Sequence, residues 1–154
     1  MRRPGGIPDF DSNGNLPPGI YHVSMAEIER SFTWNETRRV LFRGFTRALA
    51  NLSRAGVRRV WIDGSFVTSK DEPQDVDGGW EPGPPEDEDR LDAVFLDLWS
   101  GRQAMRRKYG VDFLVAGMRL QDRVAQGRTV EEFFQADRRG NPKGILLVEI
   151  GEEA

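Results

Sequence analysis

The chain has 154 residues, 31% of them charged, with a formal net charge of −3 and no cysteine. That length suits one domain with its own core, and the charge balance argues against a broad nonspecific nucleic-acid surface, leaving room only for a local basic patch. Zero cysteines exclude a disulfide framework and thiolate metal sites, which fits a reducing compartment. Met1-Arg2-Arg3-Pro4-Gly5-Gly6 leads into no apolar run, and nothing approaches the ~20 apolar residues of a membrane span, so a cytoplasmic protein with no membrane partner is expected.

Residues 1–23, rich in Pro, Gly and Asn, predict an extended arm ahead of a single domain over 24–154. Ser24-Met25-Ala26-Glu27 has the spacing of a capping box and predicts a short helix. Asn35 is placed to cap a longer one, whose apolar positions Leu41, Phe45, Leu49 and Leu52 repeat at helical spacing and which Gly56 ends. Residues 57–62 read as a strand with Val60 and Ile62 on one face and Trp61 on the other. A loop follows over 68–75, then a second strand over 75–80, in which Gly78-Gly79 signals a bulge or a close backbone approach.

Residues 81–89 form a Pro-rich acidic loop, and Leu91, Val94, Phe95 and Leu98 continue at helical spacing, with a break at Ser100-Gly101. Residues 111–116 predict a third strand, Thr129-Val130-Glu131-Glu132 repeats the capping-box spacing, and 144–150 read as a terminal strand. Helices alternating with short strands imply an α/β (α+β) domain, a small mixed sheet flanked by helices.

The chemistry concentrates in Trp61-Ile62-Asp63-Gly64-Ser65-Phe66-Val67-Thr68 and in Asp75-Val76-Asp77. In a strand, residues i and i+2 share a face, so Asp75 and Asp77 project together while Val76 packs behind. Two oxygen donors on one face suit a hard cation such as Mg²⁺, held by carboxylates plus substrate phosphates. Gly64 lets a backbone approach a phosphate closely, and Ser65 offers a hydroxyl and a helix N-terminus. The combination reads as a site for a metal-bound nucleoside triphosphate. An isolated Asp-x-Asp is also a pair of solvated acids on an edge strand, and Gly-Ser is also an ordinary strand-to-helix turn.

An apolar residue, Gly-Ser, about ten residues and then Asp-x-Asp resembles the signature of the polymerase-β-type nucleotidyltransferases. The longer run from Gly64 to Asp77, together with Leu16-Pro17-Pro18-Gly19 and Phe133-Phe134 followed by Pro142-Lys143-Gly144, is similar to a small bacterial nucleotidyltransferase-like group. The resemblance covers most of the chain and implies a minimal nucleotidyltransferase fold. It implies metal ligation by Asp75 and Asp77 and a third carboxylate, Asp112, at the start of the third strand, helping to hold a second metal or acting as a base. It further implies Mg²⁺ or Mn²⁺ as cofactor and transfer of a nucleoside monophosphate to a hydroxyl on RNA, transfer RNA among them, or on protein. Small members of the superfamily often belong to toxin–antitoxin or phage-defence modules, an association that the resemblance implies here as well. A domain this small implies a partner chain or a second copy to supply what larger relatives carry in an added domain. The alternative is a nucleotide-binding or antitoxin-like module that keeps the fold without turnover, with the direction of Asp112 as the discriminating feature.

Lys70, in the loop between the motif halves, and Lys143, in the Asn141-Pro142-Lys143-Gly144 turn, are candidate triphosphate contacts; a solvated loop lysine and a strand-entry turn are the plainer readings. Arg138-Arg139 would add to a basic patch beside that turn. Asp9-Phe10-Asp11-Ser12-Asn13-Gly14 matches the first half of an EF-hand loop, but Ile20 stands where the bidentate Glu belongs. His22, the only histidine, forms no zinc cluster alone. The four tryptophans read as core or loop anchors, with Trp80 near enough to the acids to contact a base.

Overall fold

The two capping signals among the described residues, at Ser24 and Asn35, act as their chemistry requires. In α1 (Met25–Phe32) the Ser24 hydroxyl accepts from the Glu27 N–H at 3.1 Å and the Glu27 carboxylate accepts from the Ser24 N–H at 2.8 Å. In α2 (Glu36–Arg54) the Asn35 side chain accepts from the Arg38 N–H at 2.9 Å. Gly56, at φ +84°, turns the chain out of α2 in a conformation that L side chains rarely adopt. The computed structural model describes residues 6–96, 102–116, 135 and 139–150.

The strands are β1 (Gly19–Val23), β2 (Arg59–Asp63), β3 (Val76–Trp80), β4 (Val111–Val115) and β5 (Gly144–Glu149), and α3 (Gln103–Tyr109) precedes β4. They form one mixed sheet in the order β1-β5-β2-β3-β4. The β1–β5 and β3–β4 pairs are parallel, whereas β2 runs antiparallel to both of its neighbours. The architecture is therefore the expected α+β domain, a small mixed sheet with helices.

Side-chain alternation divides the buried residues into two sets. Val60 and Ile62 of β2 and Leu146 and Val148 of β5 join Leu41, Phe45, Ala48, Leu49 and Leu52 of α2 in the main core. Trp61, Ile145 and Leu147 form a second cluster on the opposite face. β5 is thus apolar on both faces, which explains its unbroken Ile145-Leu146-Leu147-Val148 run. Full burial of each such side chain contributes roughly 1.5–3 kcal/mol.

The structure decides between two alternatives at Gly78-Gly79 and changes two further expectations. Register runs unbroken through Gly78 and Gly79, opposite Ile62 and Trp61, so β3 contains no bulge. Gly78 answers a close approach instead: a β-carbon there would lie 2.2 Å from the Trp61 carbonyl oxygen and 2.9 Å from the Phe113 ring. The helical spacing after Leu91 yields only a 3₁₀ turn, Ala93–Leu96, among the described residues. Asp92 is tied from several directions, accepting from the Tyr109 hydroxyl at 2.7 Å and the Val94 N–H at 3.2 Å and donating its own N–H to Asn51 at 2.8 Å. These tertiary ties override a spacing that alone favours a helix. Finally, the end of the expected arm enters the sheet as β1, and Ile7 and Leu16 before it are buried in the main core. The 129–132 capping signal, Leu98, Trp99, Phe133-Phe134 and Arg138 lie outside the described residues.

Among the described residues no helix is long and apolar enough to cross a membrane.

Candidate metal centre

Strand register builds the site. Asp63 at the end of β2 lies opposite Asp77 of β3, and Asp77 lies beside Asp112 of β4. Cross-strand neighbours project to the same face, and Asp75, two residues before Asp77, joins them. This face is the one opposite α2. Asp75, Asp77 and Asp112 each present a carboxylate oxygen within 4.8 Å of the others, and among the described residues they are the one group of acidic side chains so placed. All three donors are hard carboxylate oxygens, a set that suits a hard cation rather than a softer metal.

The electrostatics record the crowding. Burial, reinforced by Asp75, Asp112 and Asp63, pushes the Asp77 pKa from 3.8 up to about 8, against the opposing pull of Lys143. Asp77 therefore holds a proton at neutral pH, and its carboxyl hydrogen-bonds Asp75. Burial and then Asp112 push the Asp75 pKa up as well, offset by Arg106 and that hydrogen bond. A protein that gathers carboxylates until one must stay neutral has built a place that a cation would stabilise.

The Gly-Ser turn is set against this cluster. Gly64, at φ +76°, opens a 3₁₀ turn, Ser65–Val67, so the helix expected after Ser65 is only three residues long. Its position is held by Arg38, a fully buried residue of α2 that sequence reasoning missed. The Arg38 guanidinium donates to the carbonyls of Phe66 (2.6 Å), Thr68 (2.8 Å), Ser65 (3.3 Å) and Lys70 (Nε, 3.1 Å), and to Phe32 (3.1 Å) at the end of α1. The indole of Trp34 stacks over it at 3.7 Å. A five-donor fork suits a loop with converging carbonyls, but no local pattern around Arg38 announces which loop it will meet.

Lys143 is brought to the site, and its ammonium stands 2.8 Å from Asp63 Oδ1 in a pair almost closed to solvent. Burial pushes the Asp63 pKa up while Lys143 works against it. Lys70 is exposed, and its charge reaches Asp75. Arg102 and Arg106, also missed from sequence, grip Asp112: Arg102 Nε on Oδ1 and Arg106 Nη2 on Oδ2 at 2.5 Å, with Arg106 Nε 3.5 Å from Asp75 Oδ2. Their i, i+4 spacing was the available signal.

Trp80 is on the other face. With Ala55, Val57, Pro82, Leu91 and Val115 it lines a cavity of about 180 Å³ behind the sheet, so it does not share the face of Asp77. Asp11 closes its own loop, accepting from the N–H groups of Asn13 (2.8 Å) and Asn15 (3.1 Å).

Residues 8–149 match the model of a family of unknown function, DUF6932, and the chain belongs to that family. No curated protein and no solved structure matches it.

Proposed function

We propose that this member of a family without an assigned activity is a metal-dependent nucleotidyltransferase, moving a nucleoside monophosphate from a nucleoside triphosphate to a hydroxyl of RNA or protein. The observation that carries the reading is the convergence of Asp75, Asp77 and Asp112 from two parallel strands, with oxygens within 4.8 Å of one another. Gly64-Ser65 on the neighbouring turn supports it, because a compact turn beside a carboxylate cluster suits a triphosphate.

Asp75, Asp77 and Asp112 would hold Mg²⁺ or Mn²⁺, which would neutralise charge on the attacking and leaving oxygens. In the reaction, the acceptor oxygen forms a bond to the α-phosphorus, the bond to the bridging oxygen breaks, and pyrophosphate leaves. The acceptor's proton passes to a carboxylate, for which Asp112 is the candidate. Gly64 and Ser65 would position the triphosphate, and catalysis would consist mainly of positioning and charge neutralisation.

A second reading, a nucleotide-binding module without turnover, is favoured by one observation: both oxygens of Asp112 are already engaged by arginines. Transfer of label from each α-³²P nucleoside triphosphate onto total RNA and cell lysate, with Mg²⁺ or Mn²⁺, separates the two. Label that appears with the native protein and disappears in Asp77→Asn is the expected result. Nucleotide binding without labelling would favour the module, and absence of both would overturn the site.

A further inference from the structure

Asp112 is held shut. Arg102 takes one of its oxygens and Arg106 the other, while the second face of Arg106 reaches Asp75. Arg102 is the N-cap of α3 and Arg106 lies in its first turn, where the Arg106 N–H donates to the Arg102 carbonyl at 3.3 Å. The turn is anchored from below: Met105 is fully buried, and its sulfur accepts the Phe113 N–H at 3.1 Å, next to Asp112 on β4. Arg102 adopts φ +63°, the only positive φ of a non-glycine residue among those described. Such a conformation is held by surrounding contacts, and the Asp112 carboxylate is one that Arg102 makes.

Two guanidiniums on one carboxylate exclude a cation from it twice, by occupying its oxygens and by repelling the incoming charge. Guanidinium forks also match phosphate oxygens as well as they match a carboxylate. Resting on the nucleotidyltransferase reading, we infer that Arg102 and Arg106 are a polyphosphate-operated latch. They close Asp112 against a lone divalent cation, and they transfer to the phosphates of an arriving nucleoside triphosphate, which frees Asp112 for the metal. Cation and triphosphate then bind together, and the free protein does not collect metal at an idle site.

The latch predicts changes of opposite sign. Free Mn²⁺ is titrated by electron paramagnetic resonance, and inorganic tripolyphosphate, which carries no base, by calorimetry in the absence of metal. The Arg102→Gln/Arg106→Gln double variant should bind Mn²⁺ roughly tenfold more tightly and tripolyphosphate roughly tenfold more weakly than the native chain. Arg106→Lys, which keeps the charge, should fall between them and supplies the comparison if the double variant does not fold. Tighter Mn²⁺ with unchanged tripolyphosphate would reduce the arginines to structural counter-ions and overturn the latch. Equal Mn²⁺ binding in native and variant chains, lost in Asp77→Asn, would also overturn the latch while leaving the metal site. Absence of Mn²⁺ binding in every chain would overturn the metal site itself.

Discussion

Gly64 is pressed against the Asp77 carboxylate: a β-carbon on Gly64 would lie 1.9 Å from Asp77 Oδ2 and 2.7 Å from its Cβ. The residue that gives the Gly-Ser turn its shape therefore also leaves room for the most crowded acid of the cluster. Gly64→Ala would meet both a left-handed φ and a collision with Asp77. The expected loss is about 1–3 kcal/mol in a urea titration, with Mn²⁺ affinity falling alongside it. Native stability and affinity in this variant would show that the turn and the cluster are independent.

The Asp77 pKa gives the cation-free protein a defined pH response. Its folded value of about 8 lies above the ordinary 3.8, so between these values the folded state binds more protons than the unfolded chain. The associated stability is full below about pH 4 and is lost as pH rises through 8. Asp75 and Asp63 are shifted in the same direction. Asp77→Asn should therefore be more stable than the native chain at pH 8 by at least ~1 kcal/mol, with the difference closing toward pH 4. Thermal melts of both proteins in chelator across that range measure it, and a difference independent of pH would contradict the assignment.

Arg38 is an internal strut rather than a core filler. Arg38→Met keeps much of the volume but strands the buried carbonyls of Phe32 and Phe66 and removes the part-buried bonds to Thr68 and Lys70, while the Ser65 carbonyl keeps its bonds from Thr68. Each stranded buried acceptor costs about 1–3 kcal/mol before relaxation, and the net loss should reach ~3 kcal/mol. Urea unfolding reports the stability, and faster amide hydrogen exchange confined to residues 64–70 would separate a loosened loop from general destabilisation.

The Lys143–Asp63 pair is nearly dry, so removing one partner should hurt more than removing both. Lys143→Met leaves the Asp63 carboxylate buried without its counter-ion, and a loss of about 3–5 kcal/mol is expected. Adding Asp63→Asn should restore most of it. A double-mutant cycle in urea decides the matter: additive losses would mean that the pair contributes nothing as a pair.

The local devices of this protein were legible because their causes are local. Ser24 and Asn35 cap helices through groups three residues away, and Val60, Trp61 and Ile62 sort by strand alternation. The 144–150 run read as a terminal strand, and the structure shows its Ile145–Val148 stretch buried on both faces. Asp75 and Asp77 share a face for the same reason of period. Where the spacing signal was weak and tertiary ties strong, as at Asp92, the local reading failed.

What only the tertiary structure decided is which charges meet. Asp77 meets Asp63 through the antiparallel register of β2 and β3 and meets Asp112 through the parallel pairing of β3 and β4. Lys143 finds Asp63 from 80 positions away, and Arg38 finds a loop about 30 residues downstream. Periodicity places a side chain on a face of its own element, but a buried charge is stabilised by whatever partner packing brings within a few ångströms. That partner is chosen by sheet order and register, which are properties of the whole core rather than of any one segment.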